Sequence, residues 1–268
     1  MTDTKGVVAI VGCGLGLGGA IATKFAKEGY TIAAMARSQE SLDYVQGELA
    51  KVGPTKHGYY TMDATKKAEV DATFEKIFAE LGTVCALVYN VSDSPKGLRQ
   101  AILDIDPEEL TASFNVNALG ALLCTQAVLP KMLASEGWVA TPTSKGVAKK
   151  GTLLYTSATS AFRSTAKSAR LAAGKAALRA ISQSVAKEYA KQGIHAVHLR
   201  MDCTYESPRN EKMFTAGGMG DMYQGAAAAN KFASIDDLAE TYYTMHMQGP
   251  MAWTNELDLR PFTEDWTY

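Results

Sequence analysis

The chain has 268 residues, 47% of them hydrophobic, with 27 basic and 28 acidic side chains for a net charge of −1. That length suffices for one large core, and without a repeat or a linker it predicts a single domain over 1–268. A charge so close to zero provides no electrostatic case for nucleic acid or an anionic membrane as partner.

Val7–Val11 is a short apolar run rich in β-branched residues, which predicts a buried parallel strand. The run breaks at Gly12 and resumes with helical spacing through Ile21, Phe25 and Ala26 as far as Gly29. A strand, a glycine loop and a helix in that order can lay a pyrophosphate on a helix N-terminus, where free N–H groups and the dipole favour anions. The glycines fit Gly-x-x-x-Gly-x-Gly from Gly12 through Gly16 to Gly18, and the general dinucleotide spacing is matched only from Gly14. A side chain would hold the backbone away from phosphates. Gly12, Gly14, Leu15, Gly16, Leu17 and Gly18 are therefore the expected cofactor loop, against the alternative of a plain tight turn.

Thr31–Ala36 predicts the second strand, and 38–51 a helix through Leu42, Val45 and Leu49. A third strand over 57–62, a helix over 67–81 and a fourth strand over 85–90 follow. Asp106 caps a helix that opens on Pro107 and runs to about Ala134. A strand over 152–156, a helix over about 166–191 closed by Gly193, a strand over 195–201 and a short one at Glu256–Leu259 complete the series. Between the last two strands, 217–230 is rich in Gly and Ala and too loose for a core; with its flanks it predicts a mobile substrate loop over about 203–234. The enlarged connection over about 135–151, with Pro142, Ser144, Lys145, Lys149 and Lys150, reads as a solvated loop without assigned function. This alternation predicts a Rossmann-type, doubly wound parallel α/β sheet of about seven strands, helices on both faces, and ligands at the carboxyl ends of the strands.

The N-terminal residues lead straight into the first strand with no secretory leader, and the apolar run at 118–129 is too short to span a bilayer. Cys13, Cys85, Cys124 and Cys203 are far apart and lack metal-ligand spacing, so free thiols and no metal are expected. A cytoplasmic protein without a membrane partner is the expectation. At the end of the second strand, an NAD site places a carboxylate against the ribose hydroxyls; here Ala36 is followed by Arg37 and Ser38. A guanidinium suits a 2′-phosphate, and NADP(H) is the expected cofactor, against the alternative of a solvated surface arginine. No cation stands inside the glycine loop, where Leu15 takes the place of the usual helper.

Together these features resemble the short-chain dehydrogenase/reductase family over nearly the whole chain. The resemblance implies that Asp63, with Ala64 after it, stands beside the adenine. It places Asn90 of Tyr89-Asn90-Val91-Ser92 at the one retained position of the family's Asn-Asn-Ala-Gly, and Asn117 at its functional asparagine. Lys175-Ala176-Ala177-Leu178 and Gly193-Ile194-His195 match as well, with Lys175 implied to hold the nicotinamide ribose. The departures lie at the chemistry. The family's proton-donating tyrosine, four residues before the lysine, is Leu171 here, and its serine falls on Ala158, flanked by Ser157 and Ser160. Met201-Asp202-Cys203-Thr204 replaces Pro-Gly after the sixth strand.

Asn117, Lys175, Ser157 and Asp202 are the candidate catalytic residues. Three of them have a plainer alternative: Asn117 bonding a neighbouring helix carbonyl, Lys175 solvated, Asp202 capping the next turn. Tyr155 and Tyr205 are possible substitute phenols, Tyr155 reading more naturally as core, and Cys13 as a small filler. The segment 253–262 is similar to an atypical branch of the family that also lacks the tyrosine. In this family the helices at 107–134 and 166–191 pair across subunits, so a homodimer or homotetramer is implied, with Ala172, Ala176 and Ala180 allowing close approach. Two functional classes follow: an NADP(H)-dependent oxidoreductase for a small carbonyl, enone or imine-like substrate with a remodelled proton relay, or an NADP(H)-binding sensor, scaffold, lyase or cyclase without hydride transfer.

Overall fold

The computed structural model describes residues 4–53, 55–93, 100–138, 144–216 and 220–263. Seven strands, β1 (Val7–Val11), β2 (Thr31–Ala36), β3 (Gly58–Thr61), β4 (Val84–Tyr89), β5 (Gly151–Ala158), β6 (Ile194–Met201) and β7 (Glu256–Leu259), form one sheet in the order β3-β2-β1-β4-β5-β6-β7. Every pairing is parallel. Strands buried on both faces need apolar residues throughout, and all five residues of β1 are buried. The strand order reverses between β1 and β4, which opens a crevice at their carboxyl ends.

Two apolar layers sandwich the sheet. On one face pack α3 (Lys67–Glu80), α5 (Gly120–Ala134) and α6 (Ala169–Tyr189), through Phe74, Val128 and Leu178. On the other lie α1 (Leu17–Lys27), α2 (Gln39–Ala50) and α9 (Ile235–Met247), through Phe25, Leu42 and Tyr242. Helix α9 falls in a stretch where no helix was expected. Its signals are nevertheless present: Ser234 accepts from the Asp237 N–H at 3.2 Å, and Leu238, Tyr242 and Met245 share the buried stripe. The expected substrate loop holds two further helices, α7 (Pro208–Ala216) and α8 (Gly220–Ala228), with Tyr223 buried between the side chains of Phe214 and Phe232. Residues 217–219 of that loop, and Pro142, lie outside the described residues.

The expected helix from Pro107 is continuous but not uniform. It runs as α4 (Pro107–Phe114), capped by Asp106, then a π-helical turn (Asn115–Leu119), then α5. By length and composition Pro107–Ala134 could cross a membrane, and half of its most apolar window is buried in the fold. The 135–151 connection is not wholly solvated. Lys149 and Ser144 are fully buried, and Trp138 and Lys149 form an antiparallel bridge with N···O distances of 2.8 and 2.7 Å. Ala172 also departs from expectation, since it is buried within the chain itself, whereas Ala173, Ala176 and Ala180 are the exposed small residues of α6.

Candidate functional site

The glycine loop leaves β1 at the crevice and enters α1 at Gly16. Gly12 needs its positive φ of 83°, and a Cβ there would come within 2.7 Å of the Asn90 carbonyl. A Cβ on Gly18 would lie 2.3 Å from the Gly12 carbonyl, so these two glycines let the loop close on itself. Gly16 is different. It caps α1 without any side-chain hydrogen bond, and an added Cβ would meet nothing nearer than the Tyr205 hydroxyl at 3.6 Å. Only the Tyr205 phenol and the Arg209 stem stand beside the backbone there, where a helix N-terminus attracts anions. Asn90 braces the loop, donating from Nδ2 to the Gly12 carbonyl at 3.2 Å. Cys13 fills the space beneath it, its thiol 3.4 Å from the Gly18 carbonyl, and burial raises that thiol's pKa far beyond reactivity.

From this loop a cleft of about 370 Å³ extends across the ends of β1, β2, β3 and β4. Its walls include the whole glycine loop, Arg37, Ser38, Asp63, Ala64, Asn90 and Val91. Ser38 is also the N-cap of α2, accepting from Ser41 N–H at 3.4 Å. Asp63 accepts from the backbone and hydroxyl of Thr65 at 3.0 and 2.8 Å. Partial burial would raise its pKa, but those bonds and the nearby Arg37 hold it below the ordinary value. Residues that spacing did not bring here also line the cleft: Glu40 from α2, and Arg209 and Lys212 from α7. Ser207 followed by Pro208 was a legible helix start, with Ser207 accepting from Asn210 N–H at 3.1 Å. Nothing in the sequence told which way that helix would face.

Three of the candidate catalytic residues, Lys175, Asn117 and Ser157, lie towards the ends of β4 and β5, beside the cleft rather than in its walls. Lys175, fully buried on α6, donates to the carbonyls of Thr156 at 3.0 Å and Val91 at 3.2 Å, and burial pulls its pKa down to about 7. Asn117 is held in the π turn, where its Nδ2 donates to the Ser113 carbonyl at 2.9 Å; its Oδ1 has no partner among the described residues. Gly174 makes this packing possible, since a Cβ on it would stand 2.8 Å from the Asn117 Cβ. Ser157 and Ser160 each have a buried hydroxyl without a partner among the described residues. Leu171, half-buried, lies one helical turn before Lys175.

Asp202 does not present a free carboxylate. It pairs with the guanidinium of Arg260, a buried side chain that also reaches Asp258. Tyr155 is core, with its hydroxyl 2.8 Å from Thr125 Oγ1. Tyr205 is engaged at the glycine loop: its hydroxyl stands over Gly16 and faces the Leu17 N–H at the start of α1.

Comparison with known proteins agrees with this geometry. The sequence model of short chain dehydrogenases matches residues 6–213. An uncharacterized oxidoreductase of Staphylococcus aureus strain USA300 is 32% identical over 195 residues, spanning 71% of this chain and 74% of that protein. Among solved structures, the L-sorbose reductase of Gluconobacter frateurii complexed with NADPH and L-sorbose superposes with a TM-score of 0.80 at 20% identity, over 97% of each chain. An NADH-dependent reductase complexed with NAD gives 0.74 at 18% identity, over 96% of this chain and 95% of that one. At such identities the two structures share the fold, and neither transfers its cofactor.

Proposed function

The chain belongs to the short-chain dehydrogenase family, and on that premise we propose that it is an NADP(H)-dependent oxidoreductase acting on a small carbonyl, enone or imine-like substrate through a relay without tyrosine. The observation that carries this reading is the glycine loop and the N-terminus of α1, with no side-chain cap from Gly16, at the sheet's switch point, with Arg37 on the wall of the same cleft. Solved relatives of this fold hold either NADPH or NAD, so the preference rests on the chain's own residues. Arg37, Arg209 and Lys212 face the cleft against the carboxylates Glu40 and Asp63. The balance favours a ligand with an extra phosphate.

Bound there, the dinucleotide supplies or accepts hydride. Lys175, buried where β4 and β5 end beside the cleft, would lend a positive charge to a dinucleotide held there. With its pKa near 7 it can also hold or release a proton near neutrality. Leu171 can do neither. The site therefore suits acceptors that need little acid assistance, such as an iminium or a conjugated enone. One observation favours the second reading, a binder without hydride transfer: the Lys175 ammonium is already engaged by two backbone carbonyls.

Titration with NADPH and NADH, followed by NADPH consumption over ketones, enones and imines, separates the two. The expected result is tighter NADPH binding by roughly tenfold, lost in Arg37→Ala, the size of one partly exposed charge-assisted contact. Sustained consumption with activated acceptors is expected. Equal affinity for the two dinucleotides overturns the cofactor assignment, and saturable binding without consumption on any acceptor overturns the redox one.

A further inference from the structure

We propose that α7 carries the cations the glycine loop lacks, Arg209 for the pyrophosphate of the dinucleotide and Lys212 for the 2′-phosphate. The proposal rests on the dinucleotide reading above. Leu15 leaves the loop without a charge of its own, and α7 is tied to that loop: the Arg209 N–H reaches the Leu15 carbonyl at 3.4 Å. The start of α7 is fixed from below. Asn210 Nδ2 donates to the Tyr205 carbonyl at 2.7 Å, and Tyr205 bridges to Ala233. Tyr205 stands over Gly16, and the Arg209 side chain runs beside it, its Cδ 3.8 Å from where a Gly16 Cβ would be. A guanidinium on that stem stands close to the Tyr205 hydroxyl, at the edge of the N-terminus of α1, where the N–H groups and dipole favour a pyrophosphate.

Lys212 follows Arg209 by three residues and so shares its helix face. Its Nζ lies 3.9 Å from Glu40 Oε1, on the α2 side of the cleft where Arg37 also stands. Both members of that pair are exposed, at 78% and 75%, so it is weakly held. A phosphate dianion at the ribose 2′ position outcompetes a single carboxylate for both Lys212 and Arg37. Glu40 is thus the resting partner of Lys212 and a repulsive neighbour for the phosphate.

Calorimetric titration of NADPH and NADH into the full chain and its Arg209→Gln, Lys212→Gln, Glu40→Gln and Arg37→Gln variants tests this. Arg209→Gln is expected to weaken both dinucleotides alike, by about tenfold, because both contain the pyrophosphate. Lys212→Gln is expected to weaken NADPH by about three- to tenfold and leave NADH unchanged, while Glu40→Gln tightens NADPH. All four side chains are polar and at the surface, so unchanged melting temperatures confirm that folding is not at issue. If Arg37→Gln weakens NADPH but Arg209→Gln and Lys212→Gln do not, the α7 proposal is overturned and the cofactor reading stands. If Lys212→Gln weakens NADH as much as NADPH, the phosphate assignment is overturned. Failure of the native chain to bind either dinucleotide overturns the reading and the proposal together.

Discussion

Leu171 and Gly174 show how much a single side chain decides in this site. A tyrosine one turn before a lysine can donate a proton because the neighbouring ammonium stabilises the phenolate. Leucine removes the donor but leaves the geometry, since residue 171 is still one turn before Lys175 on α6. Restoring the pair by Leu171→Tyr together with Ala158→Ser is expected to raise turnover of simple ketones toward the ~10²–10⁴-fold that general acid catalysis contributes. NADPH oxidation at saturating cofactor measures it, and no gain with intact cofactor binding would show that more than the proton donor is missing. Gly174 works through space rather than charge. With only 2.8 Å between its missing Cβ and that of Asn117, Gly174→Ala forces α6 off the π turn and should cost about 1–3 kcal/mol in urea unfolding. A neutral result would mean that the two helices can part without strain.

Among the elements, the π turn over Asn115–Leu119 is the most consequential irregularity. The Gly120 N–H reaches back to the Asn115 carbonyl, which frees that of Val116, and Tyr89 from β4 donates its hydroxyl there at 2.6 Å. Gly120 is required for the approach, because a Cβ would lie 2.3 Å from that hydroxyl. Tyr89→Phe leaves a partly buried carbonyl without its tyrosine partner and is expected to destabilise by about 1 kcal/mol. If the turn relaxes to a regular helix, Asn117 rotates away from Lys175, and activity should fall by more than the lost stability explains. Equal melting temperatures for Tyr89→Phe and native protein would show that the hydroxyl does not hold the turn. Such a feature is invisible in Phe114-Asn115-Val116-Asn117, whose apolar spacing predicts only a helix, because the deciding partner comes from a distant strand. The strands and the glycine loop were legible, since burial on both faces dictates their composition locally. Helix α9, which begins just after the expected loop ends, carries its own local signals in Ser234 and the Leu238, Tyr242, Met245 stripe. Arg209 and Lys212 were not legible as site residues, because only tertiary folding lays α7 against Leu15.

For the molecule as a whole, two surface and interior features lead to measurable behaviour. Ile102, Leu103 and Phe114, the last two 94% and 44% exposed, flank α4, and Ala173, Ala176 and Ala180 line the outer face of α6. A self-association through these two helices would cover them, and light scattering at micromolar concentration should report a dimer or larger; a monomer would refute it. The interior sets the pH response. Lys149 is enclosed by Trp138 and Trp253, its Nζ 5.9 and 5.8 Å from their ring centroids, and donates to the His246 carbonyl at 2.7 Å in the last turn of α9. His195 stacks on Trp253, and His246 bridges Thr152 and Tyr30. Burial, joined by the Lys149 charge, lowers the pKa of both histidines to about 3, and burial lowers that of His198 to about 4. These groups stay neutral in the fold while the unfolded chain takes up protons below about 6.5. Their contribution is present above pH 6.5 and is lost as pH falls toward 4, at up to about 4 kcal/mol per pH unit for three sites. The buried Lys149 and Lys175, both lowered to about 7 by burial, act in the next window. There the unfolded chain still holds their protons up to about 10.5 while the fold does not, so stability rises from pH 7, by at most about 2.7 kcal/mol per unit. Hydrogen bonds from both ammonium groups to carbonyls act against that rise and make it smaller. Above pH 9 the sign reverses, because burial raises the thiols of Cys13, Cys85 and Cys124, which stay protonated in the fold and ionise in the unfolded chain. Urea unfolding should therefore give greatest stability between about pH 8 and 9, with the steepest loss between pH 6.5 and 4. Lys149→Met should reduce the rise between pH 7 and 9, the part from Lys175 remaining, and leave the burial-driven part of the acid limb in place; an unchanged rise would assign it to groups other than the enclosed lysine.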